Sequence, residues 1–106
     1  MRFFAYNDGF TKPFRLKNQD GTDKNLNGLV VRWYFADRNG NSPPGSPIEG
    51  LIVNAETGQV RFVVPAGMFT EKTRYICQIN LSSDGYNEDT KPFTVDIDNP
   101  RLRTNA

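Results

Sequence analysis

The residue types that carry most enzyme chemistry are scarce in this chain. Histidine is absent, which removes the commonest general base, the imidazole-dependent triads and most zinc sites. The lone cysteine, Cys77, falls on the inward side of an alternating run, where a thiol behaves as a small, inert hydrophobe. Two groups of carboxylates are close enough in sequence to share a calcium ion: Asp20 with Asp23, and Asp84 with Glu88 and Asp89. Neither follows the D-x-[DN]-x-[DN]-G spacing that turns alternating oxygens onto one cation, and solvated turn positions explain both. Asp96 and Asp98 lie on the outward side of the last alternating run, whereas an acid/base pair needs a cleft that drives two pKa values apart. The nine glycines are scattered as turn punctuation and build no phosphate-cradling loop. No catalytic residue, cofactor site or metal ligand is expected.

The elements that would position any site are strands. Leu29 to Ala36, reading L-V-V-R-W-Y-F-A, puts Leu29, Val31, Trp33 and Phe35 on one side of a two-residue repeat and Val30, Arg32 and Tyr34 on the other. Its single Trp among β-branched and aromatic neighbours suits a pleated, half-buried surface. Further strands are expected over 2–6, 10–17, 48–54, 59–64, 74–81 and 93–97. Pro13 marks an edge or a bulge, with the ladder interrupted near it. Asp20-Gly21, Glu56-Thr57-Gly58 and Asp84-Gly85 mark turns, and Gly28 is expected to hold a backbone angle that a Cβ would resist. Pro43, Pro44 and Pro47 keep residues 37–47 irregular. The facing of 48–54 stays open, since Ile48 and Ile52 oppose Leu51 and Val53. No helical period appears. The pattern predicts an all-β, antiparallel two-sheet β-sandwich of Greek-key type with about seven strands, which the likeness given below makes immunoglobulin-like, a single domain over residues 1–98 with a C-terminal tail or linker over 99–106.

A chain of 106 residues can close one core without disulfides or metals. Thirteen basic against twelve acidic residues leave a formal charge of +1, which offers no field for nucleic acid or an anionic membrane. A single cysteine permits no intrachain disulfide, so folding in a reducing cytoplasm is expected. Met1 to Asp8 runs into polar residues before a long apolar stretch develops, so neither a signal peptide nor a membrane span is expected.

Tyr75-Ile76-Cys77 with Trp33 upstream resembles immunoglobulin domains, where a Tyr stands two residues before the second core Cys and a Trp packs on the disulfide. The partner Cys is missing, and Phe14 or Leu16 must take its place. A wider set of motifs spans residues 10–97: F-R-L-K at 14–17 before the Asp20-Gly21 turn, N-L-N-G at 25–28, T-G-Q-V-R-F-V-V-P at 57–65, R-Y-I-C-Q-I-N-L at 74–81 and K-P-F-T-V at 91–95. Together they resemble the immunoglobulin-like N-terminal domain of phage baseplate upper proteins, which usually show D-L-T-G where this chain has Asn25 to Gly28. The resemblance implies a structural virion module, made in the bacterial cytoplasm and carried in the phage tail. Such a module would help assemble a host-recognition appendage with other baseplate or tail proteins, and a homo-oligomer within a larger assembly is compatible with that role. It implies no catalytic or ligand residue.

For a binding module, the candidate contact consists of apolar side chains left outside the core. Val30, Tyr34, Ile76 and Val63 point outward in the expected register. In an immunoglobulin-like topology the 29–36 and 74–81 strands share a sheet with the last strand, so Val30, Tyr34 and Ile76 form the expected protein interface and Val63 falls on the other sheet. The alternative class is a bacterial surface adhesion or carbohydrate-binding module, marked by exposed aromatics, for which Tyr34, Phe69 and Tyr86 are the candidates.

Overall fold

Two-residue alternation is realised as nine strand segments in the computed structural model, which describes residues 2–3, 9–69 and 72–98. In chain order they are β1 (Arg2–Phe3), β2 (Phe10–Arg15), β3 (Val30–Ala36), β4 (Ile48–Glu49), β5 (Leu51–Asn54), β6 (Gln59–Val64), β7 (Thr73–Ser83), β8 (Tyr86–Asp89) and β9 (Phe93–Ile97). The expected tail, 99–106, and most of the expected first strand lie outside the described residues. Among the described residues there is no helix, and so none long and apolar enough to cross a membrane.

Six segments form one sheet, in the order β1-β9-β7-β3-β4 with β8 also on β7, and β2-β6-β5 form the other. Every pairing is antiparallel except that of β1 with β9. Val31, Trp33 and Phe35 from β3 and Tyr75, Cys77, Ile79 and Leu81 from β7 face Val60, Phe62 and Val64 from β6, and all are buried. The chain is therefore an all-β sandwich with one hydrophobic cluster between its sheets.

Trp33 is the hub of that cluster. Its ring stacks on Phe35 at 4.6 Å and meets Phe62 edge-on at 5.2 Å from across the sandwich. Phe14 approaches the indole at 5.1 Å and nearly perpendicular, and Leu16 is buried in the same cluster. Each such aromatic pair adds roughly 0.5–1.5 kcal/mol beyond its buried area.

Nine segments stand where seven runs were expected, because one run is split and one strand is added. The run expected over 48–54 breaks at Gly50: β4 pairs with β3 on the first sheet and β5 with β6 on the second. The Gly50 N–H still donates to Val31 O at 2.7 Å, while a Cβ at this position would stand 2.6 Å from Val60 Cγ2 and 2.9 Å from Phe62 Cε1. Only a residue without a side chain passes between the sheets this close to the core. The crossing settles the facing: Ile48 is buried from the first sheet and Ile52 half-buried from the second, while Leu51 and Val53 point to solvent.

The added strand is a correction. The turn expected around Asp84-Gly85 is present but short: β7 runs up to Ser83 on one side, and on the other residues 86–89, for which no strand was expected, form β8, paired with β7 from Asn80↔Asp89 to Ser83↔Tyr86. Y-N-E-D lacks alternation because neither of its faces is buried, and the backbone ladder alone sets it. Pro92 has no amide hydrogen, and β8 and β9 are bridged by Thr90, which donates N–H to Ile79 O and accepts the Ile79 N–H on its hydroxyl, both at 2.9 Å. A second correction concerns β2, whose pairing with β6 runs unbroken through Pro13↔Arg61 and ends at Arg15. An edge strand leaves one side of its backbone unpaired, so a proline there interrupts nothing. Lys12 points inward beside it, its ammonium 5.6 Å from the Phe14 ring centre, and the pair blunts this edge against further strand pairing.

Candidate interaction surface

The first sheet presents a solvent face built from alternate residues of β3 and β7. Register places Tyr34 opposite Gln78 and Ala36 opposite Ile76, so Tyr34 and Ile76 are diagonal neighbours within side-chain reach. Tyr34 is 44% exposed and Ile76 52%. Val30, 37% exposed, lies on the same face opposite Ser82, two rungs from Tyr34. Arg32 stands between them, 3.9 Å from Glu49 and within 3.4 Å of the Ser82 hydroxyl. The sheet thus brings Tyr34 and Ile76 together and leaves Val30 outside their patch.

The surroundings of that patch are electrically closed. Beyond Ile76, Arg74 meets Asp96 on β9 at 2.6 Å, a hydrogen bond that raises the guanidinium pKa. Gln78, beneath Tyr34, donates to Thr90 O at 3.1 Å. Tyr34 and Ile76 therefore form a neutral, amphipathic strip between two ion pairs. As expected, Val63 lies on the opposite sheet.

Of the carboxylates considered for chemistry, all but Asp84 are engaged by protein groups among the described residues. Asp23 accepts from Arg15 at 2.8 and 3.1 Å and from Lys17 at 2.6 Å, and these hydrogen bonds hold it down to about 2. Asp20 closes its own turn by accepting from the Thr22 hydroxyl and N–H, which lowers its pKa. Glu88 takes both of its hydrogen bonds to Lys24 at 2.5 and 2.7 Å, with the Tyr86 hydroxyl as a further donor. The hydrogen bond from Lys24, then that from Tyr86, lowers the Glu88 pKa, and the same carboxylate raises that of Lys24. This clasp ties the loop after β2 to β8, beside an open cleft of about 1090 Å³ lined by Leu16, Lys24, Leu81 and Glu88 among others. Asp89 accepts from Asn80 at 2.9 Å, and Asp98 pairs with Lys72 at 3.7 Å. Among the described residues, no three carboxylates or thiols converge as a metal site would require.

Cys77 is buried, and desolvation pushes its thiol up to about 11. Of the aromatics considered for glycan contact, Tyr34 and Tyr86 are exposed, but Phe69 is not: it packs on Phe35 at 5.5 Å and on Tyr75 at 5.6 Å. The segment after β6 folds back over the core, which its Pro-Ala-Gly start does not reveal. Sequence reasoning also missed Leu51 and Val53 as surface residues. Gly50, between two apolar runs, was the one signal that the strand changes sheets.

No protein-family model matches the chain, and no curated protein does either.

Proposed function

We propose that this chain is a structural module of a phage tail baseplate, an immunoglobulin-like sandwich that joins other tail proteins in assembling a host-recognition appendage and turns over no substrate. The observation that carries the reading is the Tyr34–Ile76 strip, an exposed amphipathic patch on a sheet face whose neighbouring charges neutralise each other. A large aromatic with a polar tip beside an aliphatic side chain is the composition that protein interfaces favour. Three further features support the reading. The strand motifs resemble the baseplate family, and the 30–36 and 73–83 strands share a sheet with the last strand. Asp23, Glu88 and Asp89 are held by structural partners, as fits a structural module. In this reading the protein resides in the virion, and nucleic acid and membrane are not among its partners.

Light scattering coupled to size-exclusion chromatography tests it, using the wild type and the Tyr34→Asp/Ile76→Asp double variant with candidate baseplate proteins. Association by the wild type and its loss in a folded double variant is the expected result. Undiminished association in that variant would remove the strip from the interface. Specific glycan binding by the wild type would instead favour the adhesion or carbohydrate-binding class.

A further inference from the structure

The second sheet carries a solvent face of different character. Its outward residues include Thr11, Pro13 and Arg15 on β2, Gln59, Arg61 and Val63 on β6, and Leu51 and Val53 on β5. Leu51, Val53 and Val63 are 55%, 56% and 59% exposed, more than any other large apolar side chain described. Arg61 stands in their midst, opposite Leu51 on one side and Pro13 on the other, with Val63 two residues along its own strand. Among the described residues no ion pair or hydrogen bond engages its guanidinium, although Arg32 and Arg74 on the first sheet each have a carboxylate across the strand. No acidic residue lies on this face, and Glu56, in the turn at its end, makes no ion pair among the described residues. The nearest carboxylate partner to the face, Asp23, is already shared by Arg15 and Lys17.

We propose that this face is a second docking surface, one that takes a short acidic segment of a partner protein, a carboxylate on Arg61 flanked by apolar side chains on Leu51, Val53 and Val63. Charge complementarity argues for that occupant. An exposed guanidinium ringed by aliphatic groups is only partly solvated, so a carboxylate arriving with its own apolar neighbours gains a planar, bidentate partner and removes apolar surface from water together. A second copy of this chain fits less well on two counts. Face-to-face packing about a two-fold axis would set Arg61 near its own symmetry mate and bring no carboxylate. Three strands ~4.8 Å apart, two of six residues and one of four, offer roughly 250 Å², well below the ~800 Å² per partner of a stable interface. A peptide-sized contact matches that area. The argument does not depend on the baseplate reading, because it uses neither the Tyr34 strip nor any family likeness.

The test is to pan a random 12-residue display library against the full chain, and then to measure the selected peptides, made synthetically, by fluorescence polarisation. Selected peptides should carry Asp or Glu between apolar residues and bind less tightly as salt rises. Arg61→Glu and Leu51→Asp, each checked for folding by circular dichroism, should weaken binding at least about tenfold. Replacing the peptide's carboxylate by Lys should restore binding to Arg61→Glu, while Tyr34→Asp should leave the wild-type affinity unchanged. Selection of no binder, selection of peptides without acidic residues, or binding indifferent to Arg61→Glu would each overturn the proposal. So would a concentration-dependent dimer in sedimentation that Arg61→Glu abolishes, which would assign the face to a second copy.

Discussion

Gly58 and Gly28 form a matched pair from which the cost of one contact can be read. Both hold a left-handed backbone, with φ of +69° and +75°, so alanine at either meets the same intrinsic penalty, roughly 1–2 kcal/mol. Their surroundings differ. A Cβ at Gly28 would have no neighbour within 4 Å, whereas one at Gly58 would lie 2.3 Å from Leu16 O and 3.0 Å from Lys24 O, both backbone atoms. Gly58 O also accepts the Leu16 N–H at 2.8 Å, and Leu16 O accepts from Lys24 N at 3.0 Å. Making room for the methyl must loosen these two bonds, each worth about 0.5–1.5 kcal/mol. Gly58→Ala is thus expected to cost about 3–4 kcal/mol in total and Gly28→Ala about 1–2, a difference of ~2 kcal/mol. In urea, with a slope of ~1–3 kcal/mol/M for a small domain, the two midpoints should separate by about 1 M. Equal midpoints would refute the claim that the turn before β6 is seated on the Leu16 and Lys24 backbone.

Three other outcomes follow from the same geometry. Trp33→Ala removes the hub of the aromatic cluster and is expected to cost ~3–5 kcal/mol, leaving the chain largely unfolded; a melting temperature lowered by only a degree or two would mean that the β3 register is wrong. Asp23 is held at about 2 by Arg15 and Lys17. Because the folded state depresses this pKa, its contribution to stability is present above the ordinary carboxylate value near ~4 and is lost as pH falls towards 2. Asp23→Asn should therefore flatten the acid limb of the urea midpoint, and parallel limbs in the two proteins would exclude the pair as its source. Cys77, with its thiol raised to about 11, is protonated at pH 8 and should react with Ellman's reagent only in denaturant; rapid reaction of the native protein would show that the thiol is not sealed by Trp33 and its neighbours.

Strands with one dry face and one wet face were legible because alternation and burial are the same fact seen twice. Val31, Trp33 and Phe35, like Tyr75, Cys77, Ile79 and Leu81, declare their side of the sheet one by one. Segments that break this correspondence were not legible. β8 buries neither face, so Y-N-E-D carries no pattern, and its existence depends on a backbone ladder with β7. Residues 48–54 change sheets at Gly50, so one continuous apolar run serves two facings and cancels its own signal. Phe69 lies in no strand, and periodicity says nothing of a loop that folds back onto the core. Of the expected interface, the facing of Val30, Tyr34 and Ile76 was readable from parity. Their spacing was not, because it depends on which residue of β7 stands opposite which residue of β3.

The two proposed docking faces differ in how their central arginines are met, and this difference separates the roles proposed for them. On the first sheet Arg32 and Arg74 are met by Glu49 and Asp96 across the strands, so a partner docking there displaces little bound charge and gains mainly from Tyr34 and Ile76. On the second sheet Arg61 has no such partner among the described residues, and its neighbours are the most exposed aliphatic side chains described. A charge left unpaired among apolar groups discriminates, because a partner without a carboxylate there would bury it uncompensated, at a cost of several kcal/mol. The first face is therefore suited to adhesion by shape and burial, and the second to the choice of partner. With a partner on each of the two proposed faces, the sandwich would join two different proteins about 10 Å of sheet packing apart, which is the geometry that the proposed assembly role calls for.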